Sequence, residues 1–150
     1  MALRVRTTEA SETWRAVLQA FSIVNRILAD EMQAETALEM ERYEILLVLA
    51  QADDGVMRPS ELAEQLHLSR SGATRVIDRL ERDGLVERRA CDSDRRGSLV
   101  ALTSAGEKAF TRTGRVHLRG INEHLGSHLS SDDMTDLRRI LTKLAAAVSA

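Results

Sequence analysis

A single cysteine, Cys91, in a chain of 150 residues excludes a disulfide framework and suits a reducing compartment. No apolar run approaches the ~18 residues needed to cross a bilayer. The amino-terminal stretch MALRVRTTEASETW lacks the apolar centre of a signal peptide, so the expected location is the cytoplasm, away from membranes. Enzyme signatures are missing too: there is no Gly-rich phosphate loop, no GxSxG, and no cysteine with a motif-placed histidine partner. The carboxylate pairs Asp53-Asp54 and Asp132-Asp133 fall at a helix end and a helix start, where turn and capping roles suffice. Neither HExxH nor CxxC occurs, and His117, His124 and His128 do not by spacing alone make a metal site. The expectation is a protein that is not an enzyme and holds neither cofactor nor metal. Internal repeats and low-complexity tracts are absent as well.

What is present is enough for a packed domain. Apolar residues make up 43% of the chain, and a chain of this size buries roughly 70% of its unfolded surface. Net charge is −2, but its distribution is uneven: residues 1–57 carry five Arg/Lys against ten Asp/Glu, 58–97 nine against eight, and 98–150 seven against five. Nineteen of the 21 basic residues are Arg, whose planar fork suits phosphates and guanine edges. A nucleic-acid partner must therefore be argued from particular arginines, not from bulk charge.

Most of the chain carries helical periodicity. Trp14, Val17, Leu18, Phe21, Val24 and Leu28 make one apolar stripe from Ser11 to about Ala29. Tyr43, Leu46, Leu47 and Ala50 mark a second helix, ended by Asp53-Asp54-Gly55. Pro59-Ser60 opens a third, with Leu62, Ala63 and Leu66 facing inward. After a short turn at Leu66–Ser69, Ser69 caps a fourth helix from Arg70 to about Asp83, and Gly84 with Leu85 supplies a Schellman stop. Residues 85–90 and 98–102 are β-prone runs around the polar loop 91–97, which predicts a hairpin. Thr103 caps a long helix to about Ser127. Ser130 caps the last, with Asp133 placed to bond back to it, a Leu129–Met134 staple, and Leu137, Ile140, Leu141, Leu144 and Val148 along one face.

The fold class is therefore mainly α with a small β-hairpin wing: a winged helix-turn-helix lobe over 41–103, flanked by helices in 1–40 and 104–150. The flanking stripes have little else in the chain to cover them, which predicts a twofold homodimer. On the fourth helix, Ala73, Val76, Ile77 and Leu80 share one face, while Ser71, Arg75, Asp78 and Arg82 point away, with Thr74 and Arg79 on the flanks. That outward face suits a recognition helix, whose first turns meet base edges in the major groove of duplex DNA. A solvated surface helix has the same amphipathic pattern; the preceding helix and three-residue turn favour DNA contact. In the loop 92–97, Arg95 and Arg96 are candidates for minor-groove insertion, Asp94 for bracing Arg96, and Gly97 for turning the chain back. The rival class is a winged-helix adaptor that docks a protein partner.

Over residues 16–144, and most closely over 58–106, the sequence resembles the multiple-antibiotic-resistance regulator (MarR) family of bacterial transcription factors. The segments that carry the resemblance are SELAEQL (60–66), TRVIDRLERDGLVER (74–88), DRR (94–96) and LTSAG (102–106). The resemblance implies an obligate homodimer with recognition helices in successive major grooves and wing arginines in the flanking minor grooves. It also implies repression, relieved by a small phenolic or aromatic ligand or by thiol oxidation, with ligand sites between the dimer helices and the lobe. By motif position, Ser69, Arg70, Ser71, Thr74 and Arg75 match the recognition segment, and Asp94 and Arg96 the wing pair. With Ser60, Arg79 and Arg95 these complete the candidate DNA-binding set.

Trp14, Tyr43 and Leu47 are the candidates for lining a pocket for an aromatic ligand, although core packing explains Trp14 and Tyr43 as well. The family's peroxide-sensing cysteine lies near the amino-terminal helices, where this sequence has none. Cys91 stands at the wing base and reads as incidental. His67 occupies a turn position where many relatives of that family carry Gly, and His tolerates left-handed geometry better than most residues.

Overall fold

A computed structural model describes residues 7–52, 54–91 and 94–148, with the backbone alone at 91 and 94–97. The elements in chain order are α1 (Glu9–Thr36), α2 (Met40–Gln51), β1 (Val56–Met57), α3 (Pro59–Gln65), α4 (Arg70–Arg82), β2 (Val86–Cys91), β3 (Asp94–Leu102) and α5 (Ser104–Ile121). A π-helical turn (Asn122–Gly126) and α6 (Ser131–Val148) follow. The mainly α winged helix-turn-helix architecture is as the sequence predicts. The chain forms two compact units, one of residues 31–117 and one of the described residues within 1–30 and 118–150. The first holds the lobe 41–103 together with the end of α1 and most of α5.

In the lobe, α2, α3 and α4 pack over a three-stranded antiparallel sheet of order β1-β3-β2. The sheet differs from the expected hairpin in two ways. Val56 and Met57 add a third strand opposite Ala101 and Val100; two residues are too few to show an alternating pattern. And β3 starts at Asp94, so residues 94–97 are strand and not loop. Ala90 pairs with Ser98 while the next residue, Cys91, pairs with Asp94. Residues 95–97 are thus three extra residues on β3, an irregularity that the alternation rule hides because it shifts the register.

The lobe core is closed. Ile45, Leu46, Leu49, Leu62, Ile77, Leu80 and Val100 are fully buried, each worth roughly 1.5–3 kcal/mol relative to exposure. On α2 the inward residues are Tyr43, Ile45, Leu46 and Leu49, whereas Ala50 faces solvent and Leu47 is only partly covered. The run Ile45–Leu49 is apolar throughout, so spacing alone fits several faces.

Local signals set the helix ends. The Ser69 Oγ accepts the Gly72 N–H at 3.0 Å. At the other end of α4, Gly84 adopts φ +71°, its N–H reaches the Glu81 carbonyl, and the Leu85 N–H reaches Leu80, the paired bonds of a Schellman stop. The same corner receives α5. The Leu85 carbonyl accepts the Thr103 N–H, the Thr103 hydroxyl donates to the Gly84 carbonyl at 2.6 Å, and it accepts the Gly106 N–H at 3.0 Å. A Cβ on Gly106 would lie 2.0 Å from the Leu85 oxygen, so only glycine fits.

The helical unit looks different. α1 runs to Thr36, beyond the expected end near Ala29, and α5 gives way at Asn122 to the π-helical turn where one continuous helix was expected to about Ser127. Ser130 and Asp133 cap α6 reciprocally: the Ser130 N–H donates to the Asp133 carboxylate and the Asp133 N–H to the Ser130 hydroxyl. These bonds hold the Asp133 carboxyl below its ordinary pKa. Yet α6 has no buried residue. All the large apolar side chains that stand exposed among the described residues belong to this unit, from Trp14 and Phe21 on α1 to Ile140, Leu144 and Val148 on α6.

Candidate nucleic-acid interface

The α3–turn–α4 segment follows from its residues. Glu61 accepts the Arg58 N–H at 2.9 Å and Pro59 starts α3. The turn passes through His67 at φ +52°, a left-handed position that this side chain tolerates. The Leu68 N–H returns to the Ala63 carbonyl. α4 then buries Ala73, Val76, Ile77 and Leu80 and presents Ser71, Thr74, Arg75, Asp78 and Arg82 to solvent, the two faces expected from the sequence.

The first turns of α4 border a groove of about 420 Å³ lined by Arg58, Pro59, Ser60, Arg70, Thr74 and Ser98. It gathers Ser60, Arg70 and Thr74 from the candidate set and adds Arg58 and Ser98, which sequence reasoning passed over. No carboxylate is among those lining residues. The exposed Thr74 donates its hydroxyl to the Arg70 carbonyl at 2.8 Å, and the Ser69 and Ser71 hydroxyls lie 3.2 Å apart. Among the described residues, Arg70 and Arg75 make no ion pair. Arg75 faces a second groove with Arg79, Arg82, Asp78 and Glu41.

Other arginines of the lobe are engaged. Arg79 donates to Glu39 at 3.3 Å and to Glu41 at 2.9 Å, tying α4 to the start of α2. Arg42 holds Asp83 at the α4 carboxyl end. Arg88 on β2 reaches both Asp78 and Glu81. The hydrogen bond to Asp78, and after it the charges of Glu81 and Asp78, outweigh partial burial and raise its pKa. Asp78 and Glu81, three residues apart on α4, can receive a cation together, but nothing in their spacing says which one. The wing candidates Asp94, Arg95 and Arg96 lie on β3 by backbone, and their side chains, like that of Cys91, are outside the described residues.

The ligand-pocket candidates are divided between the units. Tyr43 is buried in the lobe, its ring stacked 5.7 Å from Phe110 and 5.2 Å from the His117 ring, and its hydroxyl would meet a Cβ on Gly114 at 3.3 Å. Burial raises the Tyr43 pKa and lowers that of His117. Leu47 is partly buried on α2. Trp14 lies in the helical unit, 55% exposed. It borders a groove of about 530 Å³ walled by Val17, Leu18, Phe21, Val24, Leu125, Leu137 and Leu141.

Helix, four-residue turn, second helix and a sheet with a projecting strand pair together define a winged helix-turn-helix protein. The model of the MarR family matches residues 38–98, and the chain belongs to that family. It is 36% identical over 99 residues to the transcriptional repressor MprA of Escherichia coli; the match covers 66% of this chain and spans just over half, 56%, of MprA. Its fold matches AbsC, a MarR family transcriptional regulator from Streptomyces coelicolor, with TM-score 0.87 and 29% identity over 97% of this chain and 99% of that one. It matches Sco3205, a MarR family regulator of the same organism solved in complex with DNA, with TM-score 0.87 and 26% identity over 99% and 93% of the two chains. No helix among the described residues is long and apolar enough to cross a membrane.

Proposed function

We propose that the protein is a homodimeric transcriptional regulator, a repressor, that binds a near-palindromic duplex. α4 enters the major groove, where Arg75 reads guanine edges and Thr74 a thymine methyl, while Ser60, Arg70 and Arg58 hold phosphates beside it. Arg96, in the extra residues of β3, enters the flanking minor groove. The observation that carries this reading is the first half of α4: exposed hydroxyls and two arginines that, among the described residues, have no carboxylate partner, beside a groove whose described lining holds no acid. The kinship with MprA, a repressor, and with Sco3205, solved on DNA, supports it. The apolar groove of the helical unit is assigned to a second copy, because a contiguous exposed apolar surface of this kind marks an association site.

Selection of genome fragments with the purified protein tests the proposal. The expected result is a palindrome with half-site centres about 10 base pairs apart, bound roughly ten times or more weakly by Arg75→Ala and by Arg96→Ala. Retention of no duplex above random competitor overturns it, and points instead to a protein-docking lobe.

A further inference from the structure

The outward face of α4 carries acid as well as base. Asp78 stands three residues after Arg75 and four before Arg82, exposed, and Glu81 follows it on the next turn. A carboxylate turned toward a duplex is repelled by the phosphates. In this lobe both carboxylates are met from outside the helix. Arg88 on β2 sends Nη2 to the Asp78 carboxylate at 2.5 Å and Nη1 to Glu81. This is a forked, charge-assisted arrangement that only a guanidinium can make. The Arg88 backbone is paired with fully buried Val100 of β3, so the cation is anchored in the sheet. Its guanidinium is engaged by two carboxylates, which distinguishes it from Arg70 and Arg75, for which the described residues show no ion pair.

We infer that Arg88 is a positioning residue for duplex recognition: by clamping Asp78 and Glu81 it fixes the roll of α4 against the wing strand and screens two carboxylates from the phosphates, without touching DNA itself. The inference rests on the proposed DNA-binding function and deepens it. The reading half of α4 is then its first two turns, and its later turns are structural, held by Arg88 to the wing and by Arg42 and Arg79 to α2.

The test is a double-mutant cycle on the full-length protein, using the duplex that the wild type retains in fragment selection and anisotropy titrations across a range of KCl. Arg88→Met is measured in the wild-type background and with Asp78→Asn and Glu81→Gln. The expected result is about a tenfold loss of affinity in the first background and less than about twofold in the second, with the slope of log Kd against log salt unchanged. Arg88→Lys, which keeps the charge and lacks the fork, loses about threefold; this comparison stands on its own where methionine destabilises the sheet. An equal loss in both backgrounds overturns the inference. So does a slope lowered by about 0.9 per protomer, which makes Arg88 a phosphate contact. A wild type that retains no duplex overturns the DNA-binding reading and this one with it; a wild type that binds, with an additive cycle, overturns this one alone.

Discussion

The two units of the chain treat their apolar residues in opposite ways. In residues 31–117 the large apolar side chains are enclosed: Ile45, Leu46, Leu49, Leu62, Ile77 and Leu80 have no exposed surface. In the helical unit, α6 buries nothing and Phe21, Leu118 and Val148 are more than 60% exposed. The lobe satisfies the hydrophobic effect by itself. The helices of the other unit have the stripe periodicity of packed helices without the packing, which is what the proposed association would supply. Under the proposed dimer, one chain combines an intramolecular core with half of an intermolecular one.

The sharpest way to break this comparison is Leu141→Asp. Placing a carboxylate in the apolar groove should weaken the dimer by about a hundredfold or more, since an unpaired buried charge costs several kcal/mol. The ring signals of Tyr43, the chain's one tyrosine, should stay native. Sedimentation and NMR read the two effects, and an intact dimer would show that the groove is not the seam. Next in size is Ile77→Ala in the lobe, which should cost about 2–5 kcal/mol. Its melting shift should not depend on protein concentration, whereas that of any groove variant should.

A smaller effect concerns pH. Burial lowers the His117 pKa, so below about pH 6.5, the ordinary His value, the unfolded chain binds a proton that the lobe refuses. Lobe stability should therefore fall as pH drops through that value toward the folded-state pKa, and His117→Phe should flatten this part of the profile. Smallest is Ser130→Ala, which removes the α6 cap at a cost of about 1 kcal/mol and should bring the Asp133 titration up toward that of an ordinary carboxylate. Because the folded Asp133 pKa is depressed, the cap's contribution is present above the ordinary carboxylate value and is lost as pH falls through the depressed one.

The same contrast explains what could be seen in the sequence. α4 was legible from end to end because every signal on it is local: the Ser69 cap, the four-residue inner face and the Gly84 stop each need only neighbours in the chain. The Ser130–Asp133 box was legible for the same reason. β1 was not, because Val56 and Met57 become a strand only when β3 arrives beside them. The start of β3 at Asp94 depends likewise on its pairing with Cys91, and α5 shows no sequence mark where its hydrogen-bond ladder widens at Asn122. In the candidate site, the outward residues of α4 could be named from helical spacing. The ion pairs made by Arg42, Arg79 and Arg88 could not, since each joins residues from different elements.

The glycine at 106 has a mechanical consequence. With a carbonyl oxygen 2.0 Å from where its side chain would begin, the exit of α4 and the entry of α5 meet like a pin in a bearing with no clearance. The threonine just ahead of α5 grips the corner that ends α4 from both sides of its own peptide. The helix proposed to face the duplex therefore takes its heading from a helix that follows it in the chain, and a tilt at that joint becomes a rotation of α4's outward face.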